Sequence, residues 1–430
     1  MTALARLLIR VFFRSIEVED GENLPETGPV VLVANHTNGL VDGLLLLATL
    51  RRYPRFLGKS TLFGIAPLWS FLKLAGVIPV YRTMDAVAGD HNASAFATSH
   101  ALLGQGGMVA VFPEGISHDE TTLQPLKTGA ARIALETLDE GGADDLVTVA
   151  VGLVYDAKAR FRSRALVRVG EPVAVAQWAE DYRRDEWATV QSVTEALGEQ
   201  LTRVNPSFAS WTQAVQLSWI AEVLVRAPGG PGPVEVTLAD KVDVVARLAA
   251  RQGGSAAALE DLCRAFALYE WDLNLLGVND AQLVARPPRR RRLALLRSVL
   301  MLLVALPFAA AGALVHLVPF QIMKQVGKRP ANEGIRATVK VLGCFVLFAL
   351  TYAVLGLLVG LAYGAWAGLV VAVAAPWCGY VALRVGERVK RTSGVVEGYR
   401  MLKGRRAVVA TALAHRAAVV AEVHSLLSDS

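Results

Sequence analysis

Charge is scarce in this chain of 430 residues: Asp, Glu, Lys and Arg make up 19% of it, against 53% hydrophobic residues. Ordinary soluble domains are about one quarter charged. The shortage is local. From Val299 onward long runs are almost free of charge, whereas the first 285 residues read as a globular mixture. The chain therefore divides into a globular part and a membrane part. Cysteine is also scarce. Cys263, Cys344 and Cys378 have neither C-x-x-C nor metal-ligand spacing, so no disulfide framework and no metal centre is expected. Zinc-finger spacings, ribonucleoprotein motifs and helix-turn-helix signatures are missing. The net charge of +6 is thus not read as a nucleic-acid footprint. Basic residues gather instead beside apolar runs, as in "RPPRRRR" (Arg286 to Arg292), where they suit anionic lipid. There is no G-x-S-x-G turn, which removes the usual serine-hydrolase nucleophile.

In the first stretch, "MTALARLLIRVFFR", Arg6, Arg10 and Arg14 recur every four residues and form one stripe among apolar positions. The pattern fits an amphipathic interfacial helix over residues 1–18; the alternative is a helix docked on its own domain. Over residues 19–180, Val-rich runs ("PVVLVA", "GVIPV", "MVAVF", "LVTVAVGLVY", "ALVRVG") alternate with helical patterns. That alternation predicts an α/β domain with a mostly parallel sheet flanked by helices. Residues 181–290 read as helical, broken at "APGGPGP".

A membrane region over 291–392 holds three apolar segments, 299–320, 341–361 and 366–383, each near the ~20 residues that span a bilayer. The last two are joined by "AYGA" and form a transmembrane helical hairpin. Lys340 at one outer end, and Arg384, Arg388, Lys390 and Arg391 at the other, place both ends in the cytoplasm. A spanning 299–320 would carry the five positive charges of "QIMKQVGKRPANEGIRATVK" outside. With Pro307 near its middle, the segment is therefore read as re-entrant in preference to spanning. Residues 393–430 form a helical tail.

Chemistry collects at strand ends. "NHTNGLVDG" (Asn35 to Gly43) follows the buried run "PVVLVA", and ligands of open α/β sheets bind outside the carboxyl ends of strands. A neutral imidazole at His36 can take a proton from a hydroxyl, and a carboxylate at Asp42 can fix its tautomer. The bland alternative is a packing histidine and an N-cap aspartate. "VAVFPEGISHDE" (Val109 to Glu120) is a second strand ending in a polar turn, where Glu114 can accept from a polyol and Gly115 lets a ligand approach the backbone. Ser117, His118 and Asp119 are adjacent, so their side chains diverge and make no triad. "GVIPVYR" ends in Arg82, a planar donor suited to phosphate, with a surface salt bridge as the alternative. A hydrolytic metal site built on His36, Asp42, His118 and Asp119 has the wrong spacing for zinc.

Taken together, these blocks resemble the glycerolipid acyltransferase superfamily over roughly residues 20–175. They are most similar to the fungal-type glycerol-3-phosphate/dihydroxyacetone-phosphate branch. The resemblance implies that His36 is the catalytic base and Asp42 its partner. Arg82, Glu114 and Gly115 would then bind the acceptor, with Arg162 and Arg164 of "RFRSRA" as weaker phosphate candidates against a solvated strand edge. The implied reaction moves a fatty acyl group from a CoA or acyl-carrier-protein thioester to glycerol-3-phosphate or dihydroxyacetone phosphate. It takes place at the bilayer, with the catalytic domain on the cytoplasmic face and no further cofactor. The sequence identifies no oxyanion donor; backbone N–H groups near Gly39 or Gly115 are the candidates. A lysophosphatidate acyltransferase is the alternative enzyme, and a non-catalytic lipid-binding scaffold the alternative class. Two features depart from the family. Five residues, not four, separate His36 from Asp42, and Ala150 stands where the fourth block usually has proline.

Overall fold

The computed structural model describes residues 1–64, 66–81, 88–141, 143–208, 210–226, 236–250, 256–284, 291–328 and 333–428. The chain forms two compact units, Met1–Ala209 with Pro330–Val341, and Ser210–Arg329 with Leu342–Ser430.

The first unit is built on strands β1 (Ser15–Glu19), β2 (Val30–Ala34), β3 (Arg55–Lys59), β4 (Ile78–Val80), β5 (Met108–Val111), β6 (Val147–Tyr155), β7 (Arg164–Val169) and β8 (Val173–Ala174). They make one sheet in the order β1-β7-β6-β2-β5-β3-β4, with β8 beside β6. Pairing is parallel except where β6 meets β7 and β8. Its helices are α1 (Thr2–Phe12), α2 (Leu40–Thr49), α3 (Ala66–Leu74), α4 (Ala88–Gly104), α5 (Gly129–Asp139), α6 (Ala179–Arg184) and α7 (Glu186–Val204). All five residues of β2 are buried, as a central strand covered on both faces requires. Its side chains alternate between two cores. Val30, Leu32 and Ala34 join Ile9, Phe12, Leu44 and Leu45 of α1 and α2, while Val31 and Val33 join Ile133, Leu135, Val193 and Leu197 of α5 and α7. The chain leaves β2 toward β3 and leaves β5 toward β6, in opposite directions across the sheet. The carboxyl ends of β2 and β5 therefore flank the crevice where such sheets bind ligands.

Three expectations shift here. The N-terminal helix stops at Phe12, and residues 15–19 are an edge strand whose polar alternation was read as helix. The apolar face of α1 is spent inside the domain: Ala5, Leu8, Ile9 and Phe12 are buried, which leaves Arg6, Leu7, Arg10, Val11 and Arg14 outward. The docked alternative fits that burial. The α/β unit also extends past residue 180, because α6 and α7 belong to it. At Gly152 of β6 a Cβ would lie 2.2 Å from the Val204 carbonyl oxygen, so only glycine admits α7 this close.

The second unit holds α8 (Trp211–Val225), α9 (Leu238–Ala250), α10 (Ala256–Leu276), α11 (Asp280–Val284), α12 (Arg291–Val326), most of α13 (Glu333–Tyr363), α14 (Ala365–Leu402) and α15 (Arg406–Ser428). Among the described residues, four helices are long and apolar enough to cross a membrane, within α12, α13, α14 and α15. By length and composition of these helices, this is a membrane protein. In α15, however, Arg416 is buried. It donates to Asp280 at 2.8 Å and to the carbonyls of Val223 and Arg226 at 2.7 Å, while Tyr269 and Arg226 donate to the same Asp280 carboxylate at 2.6 and 2.5 Å. That network fixes α15 among α8, α10 and α11, so the helical tail is a packed element.

The α13–α14 hairpin turns at Gly364 and closes through glycines: a Cβ on Gly368 would meet the Gly356 oxygen at 2.4 Å. Helix α12 meets both legs. Its Gly312 and His316 press on Cys378 and Gly379, and the Tyr352 hydroxyl donates to His316 at 2.6 Å. At 1.5 Å per residue these contacts lie about 18–22 Å from the hairpin tip. Near its start Met301 meets Arg388, and near its end Met323 meets Gly343, both about 32–36 Å from the tip. The 299–326 stretch is long enough to cross, yet both its ends sit by the hairpin's outer ends. We expect single cysteines at Asn274, before α12, and at Lys328, after it, to react with an impermeant maleimide from the same side, and one at Tyr363 from the other. Labelling of Asn274 and Tyr363 together, with Lys328 on the opposite side, would show that α12 crosses.

Candidate active site

Where β2 ends, Asn35 acts as a cross-strand bracket: its side chain donates to the Leu153 carbonyl at 3.0 Å and accepts from the Leu153 amide at 2.7 Å. That fixes the next residue, His36. Its ring stacks on Phe112 at 4.2 Å, and its Nδ1 lies 3.0 Å from Asp42 Oδ2. Asp42 is fully buried, while the His36 side chain is 20% exposed, so one ring edge faces solvent. The Asp42 carboxylate also accepts from the Asn38 amide at 2.7 Å and the Tyr155 hydroxyl at 2.5 Å. With Nδ1–H donated to Asp42, Nε2 is left as the proton acceptor. Burial first, and the adjacent Asp42 carboxylate second, push the Tyr155 hydroxyl well above the usual tyrosine range. Tyr155 therefore stays a donor through the neutral and mildly alkaline range.

The fifth residue between His36 and Asp42 is absorbed by a glycine. Gly39 caps α2 at φ +56°, ψ −133°, a conformation side chains resist. This leaves Asp42 in the first turn of the helix. The Gly39 amide donates to Ser117 Oγ at 3.0 Å and the Gly115 amide to the Phe112 carbonyl at 3.0 Å. Both N–H groups are thus engaged inside the protein.

After β5, Glu114 is buried and both of its oxygens are engaged inside the protein. One accepts from the His36 amide at 2.8 Å. The other accepts from the Gln124 amide at 2.8 Å and from His118 Nε2 at 2.5 Å. The Glu120 amide donates to His118 Nδ1, which fixes Nε2 as the protonated nitrogen. Glu114 therefore ties the two loops together, where the sequence reading gave it to a polyol. Gly115 has φ +68°, and the Lys127 side chain lies across it, 2.8 Å from where a Cβ would stand.

The acyltransferase family pattern matches residues 15–153. Glycerol-3-phosphate O-acyltransferase 2 of Saccharomyces cerevisiae is 35% identical over 99 residues, covering 23% of this chain and 13% of its own. Glycerol-3-phosphate O-acyltransferase 1 of the same yeast is 40% identical over 73 residues, 17% of this chain and 10% of its own. Residues 15–153 are therefore similar to an acyltransferase domain. An uncharacterized acyltransferase of Schizosaccharomyces pombe is 25% identical over 288 residues, 46% of this chain and 42% of its own. The chain thus spans less than half the length of these curated relatives.

The remaining candidates are spread out. Arg82 lies outside the described residues. Arg162, at φ +63°, spends its guanidinium on the carbonyls of Arg10, Val11 and Phe13 at the end of α1. Arg164 is buried and donates to Asp156 at 3.1 Å. The basic motif "RFRSRA" thus fastens α1 and the β6–β7 turn to the domain, and no solvated strand edge holds these two side chains. Among the described residues no cluster of His, Cys, Asp and Glu could hold a metal ion. The sequence reading missed Tyr155, although it ends the strand run "LVTVAVGLVY" on the same sheet edge as His36. It also missed Lys158, which nothing in the sequence marks. Lys158 is buried, donates to the Thr37 carbonyl at 2.9 Å and the His118 carbonyl at 3.2 Å, and pairs with Asp119. Lys158→Met should leave these acceptors unsatisfied, at about 1–3 kcal/mol. Hydrogen exchange at residues 36–39 and 117–119 should then rise about tenfold or more, with the sheet unaffected. Unchanged exchange would show that the two loops do not depend on this ammonium.

Proposed function

We propose that this protein is a membrane-bound O-acyltransferase. It moves a fatty acyl group from an acyl thioester, carried by CoA or acyl carrier protein, to a hydroxyl of glycerol-3-phosphate or dihydroxyacetone phosphate. The observation that carries the reading is the chain Tyr155–Asp42–His36, buried at one end and open at the imidazole, in the crevice between β2 and β5. The yeast relatives, named as glycerol-3-phosphate acyltransferases, support this choice of acceptor. In this reading His36 Nε2 takes the proton of the acceptor hydroxyl as its oxygen attacks the thioester carbonyl. The tetrahedral intermediate collapses with loss of the thiolate, which recovers the proton from the imidazolium. Asp42 stabilises that imidazolium, and Tyr155 and the Asn38 amide hold Asp42. A positioned base of this kind contributes ~10²–10⁴-fold. Lys127, across Gly115, is assigned to the acceptor phosphate together with Arg82. Glu114 takes a structural role. The donor is charged and cytoplasmic, and the basic outer ends of the α13–α14 hairpin favour the same side, so the domain is assigned to the cytoplasmic face.

The decisive assay is the purified protein in nanodiscs with labelled acyl-CoA, offered glycerol-3-phosphate, dihydroxyacetone phosphate and lysophosphatidate in parallel. Transfer to either of the first two is expected. Transfer to lysophosphatidate alone would replace the acceptor, and transfer to none would remove the enzyme reading. Tyr155→Phe should lower kcat about tenfold and leave both KM values nearly unchanged. Without the phenol's hydrogen bond Asp42 is held less firmly against the His36 ring, and a displaced base costs turnover. Unchanged kcat in Tyr155→Phe would show that Asp42 keeps its place without the phenol.

A further inference from the structure

Helix α2 carries Asp42 in its first turn, yet it begins on Gly39, which has no side chain to cap it. A helix start leaves its first amides without intrahelical partners. Here one partner comes from 298 residues downstream: the Leu40 amide donates to Thr338 Oγ1 at 3.2 Å. Thr338 lies in the opening turns of α13, the helix whose continuation forms one leg of the membrane hairpin. Those turns belong to the catalytic unit. Ala337 and Val341 are buried in the same cluster as Val41, Leu44 and Leu45 of α2, and Lys340 Nζ donates to the Ala159 carbonyl at 2.7 Å in the turn that also carries Lys158. The family match ends at residue 153, so this segment lies well outside it.

We propose that the start of α13 completes the acyltransferase site, with Thr338 acting as a positioning residue that caps α2 and thereby holds Asp42 against His36. The anchor then does more than tether the domain, because the helix that enters the membrane also sets the geometry of the base. The inference rests on the reading of His36 as that base for its kinetic arm only. A threonine cap supplies what glycine lacks, and losing such a cap typically shifts a helix-start equilibrium about fivefold. The effect on turnover is larger where a small displacement of the partner misplaces the reacting atom.

The test uses the full-length protein in nanodiscs, as wild type, Thr338→Val and Thr338→Ser. Valine keeps the shape and removes the acceptor oxygen, so the fold survives. Thr338→Val should lower kcat about tenfold with both KM values within twofold, and speed hydrogen exchange at residues 40–43 about fivefold. Thr338→Ser should restore most of both. Wild-type kcat and wild-type exchange in Thr338→Val would overturn the proposal, as would a valine defect that serine fails to repair. If the wild type transfers acyl groups to no acceptor, the proposed function falls and exchange alone decides: faster at 40–43 in Thr338→Val upholds the cap, and unchanged overturns it.

Discussion

A carboxylate without solvent is the constraint on which the first unit turns. Asp42 has no exposed surface, and an unpaired charge there would cost several kcal/mol. Three donors remove that cost: the His36 ring, the Asn38 amide and the Tyr155 hydroxyl. Hydrogen bonds to a charged group contribute about 1.5–3 kcal/mol each. Meeting all three fixes the loop after β2, the first turn of α2 and the end of β6 at once. What leaves the site for solvent is one edge of an imidazole. The arrangement suits a base that must be rigid on one side and reachable on the other.

Glu114 solves a second version of the same problem. Its buried carboxylate is shared between the His36 amide, the Gln124 amide and His118, so the two polar turns cannot move independently. Lys158 adds a buried ammonium across the same turns. The second unit repeats the device around Asp280, where Arg226, Arg416 and Tyr269 converge. In each case a buried carboxylate joins segments that are distant in sequence, and breaking one partner would strand a charge.

How much of this could be read from the residues follows from the range of each interaction. The parallel core was legible because β2, β5 and β6 are buried on both faces and read as unbroken Val-rich runs. Strands β1 and β3 were not legible, because "SIEVE" and "RFLGK" are half-exposed and carry charges. The pairing of His36 with Asp42 was legible because six positions in one loop limit their separation. The destination of Glu114 was not: a carboxylate at a strand end looks the same whether it faces a polyol or three donors from its own chain. Arg162 misled for a similar reason, since a cation suited to phosphate is equally suited to the carbonyls that end α1. Thr338 and Lys158 act across 298 and 121 residues, and no local pattern announces such a contact.

The central claim is that His36, held by Asp42, is the base of an acyl transfer with no covalent enzyme intermediate. The most direct measurement compares single-turnover transfer from labelled acyl-CoA by the wild type and His36→Ala, both in nanodiscs with matched circular dichroism. The account predicts that the variant loses at least about a hundredfold in rate and that neither protein accumulates label without acceptor. Near-normal turnover in His36→Ala, or an acyl-enzyme formed before acceptor is added, would contradict it.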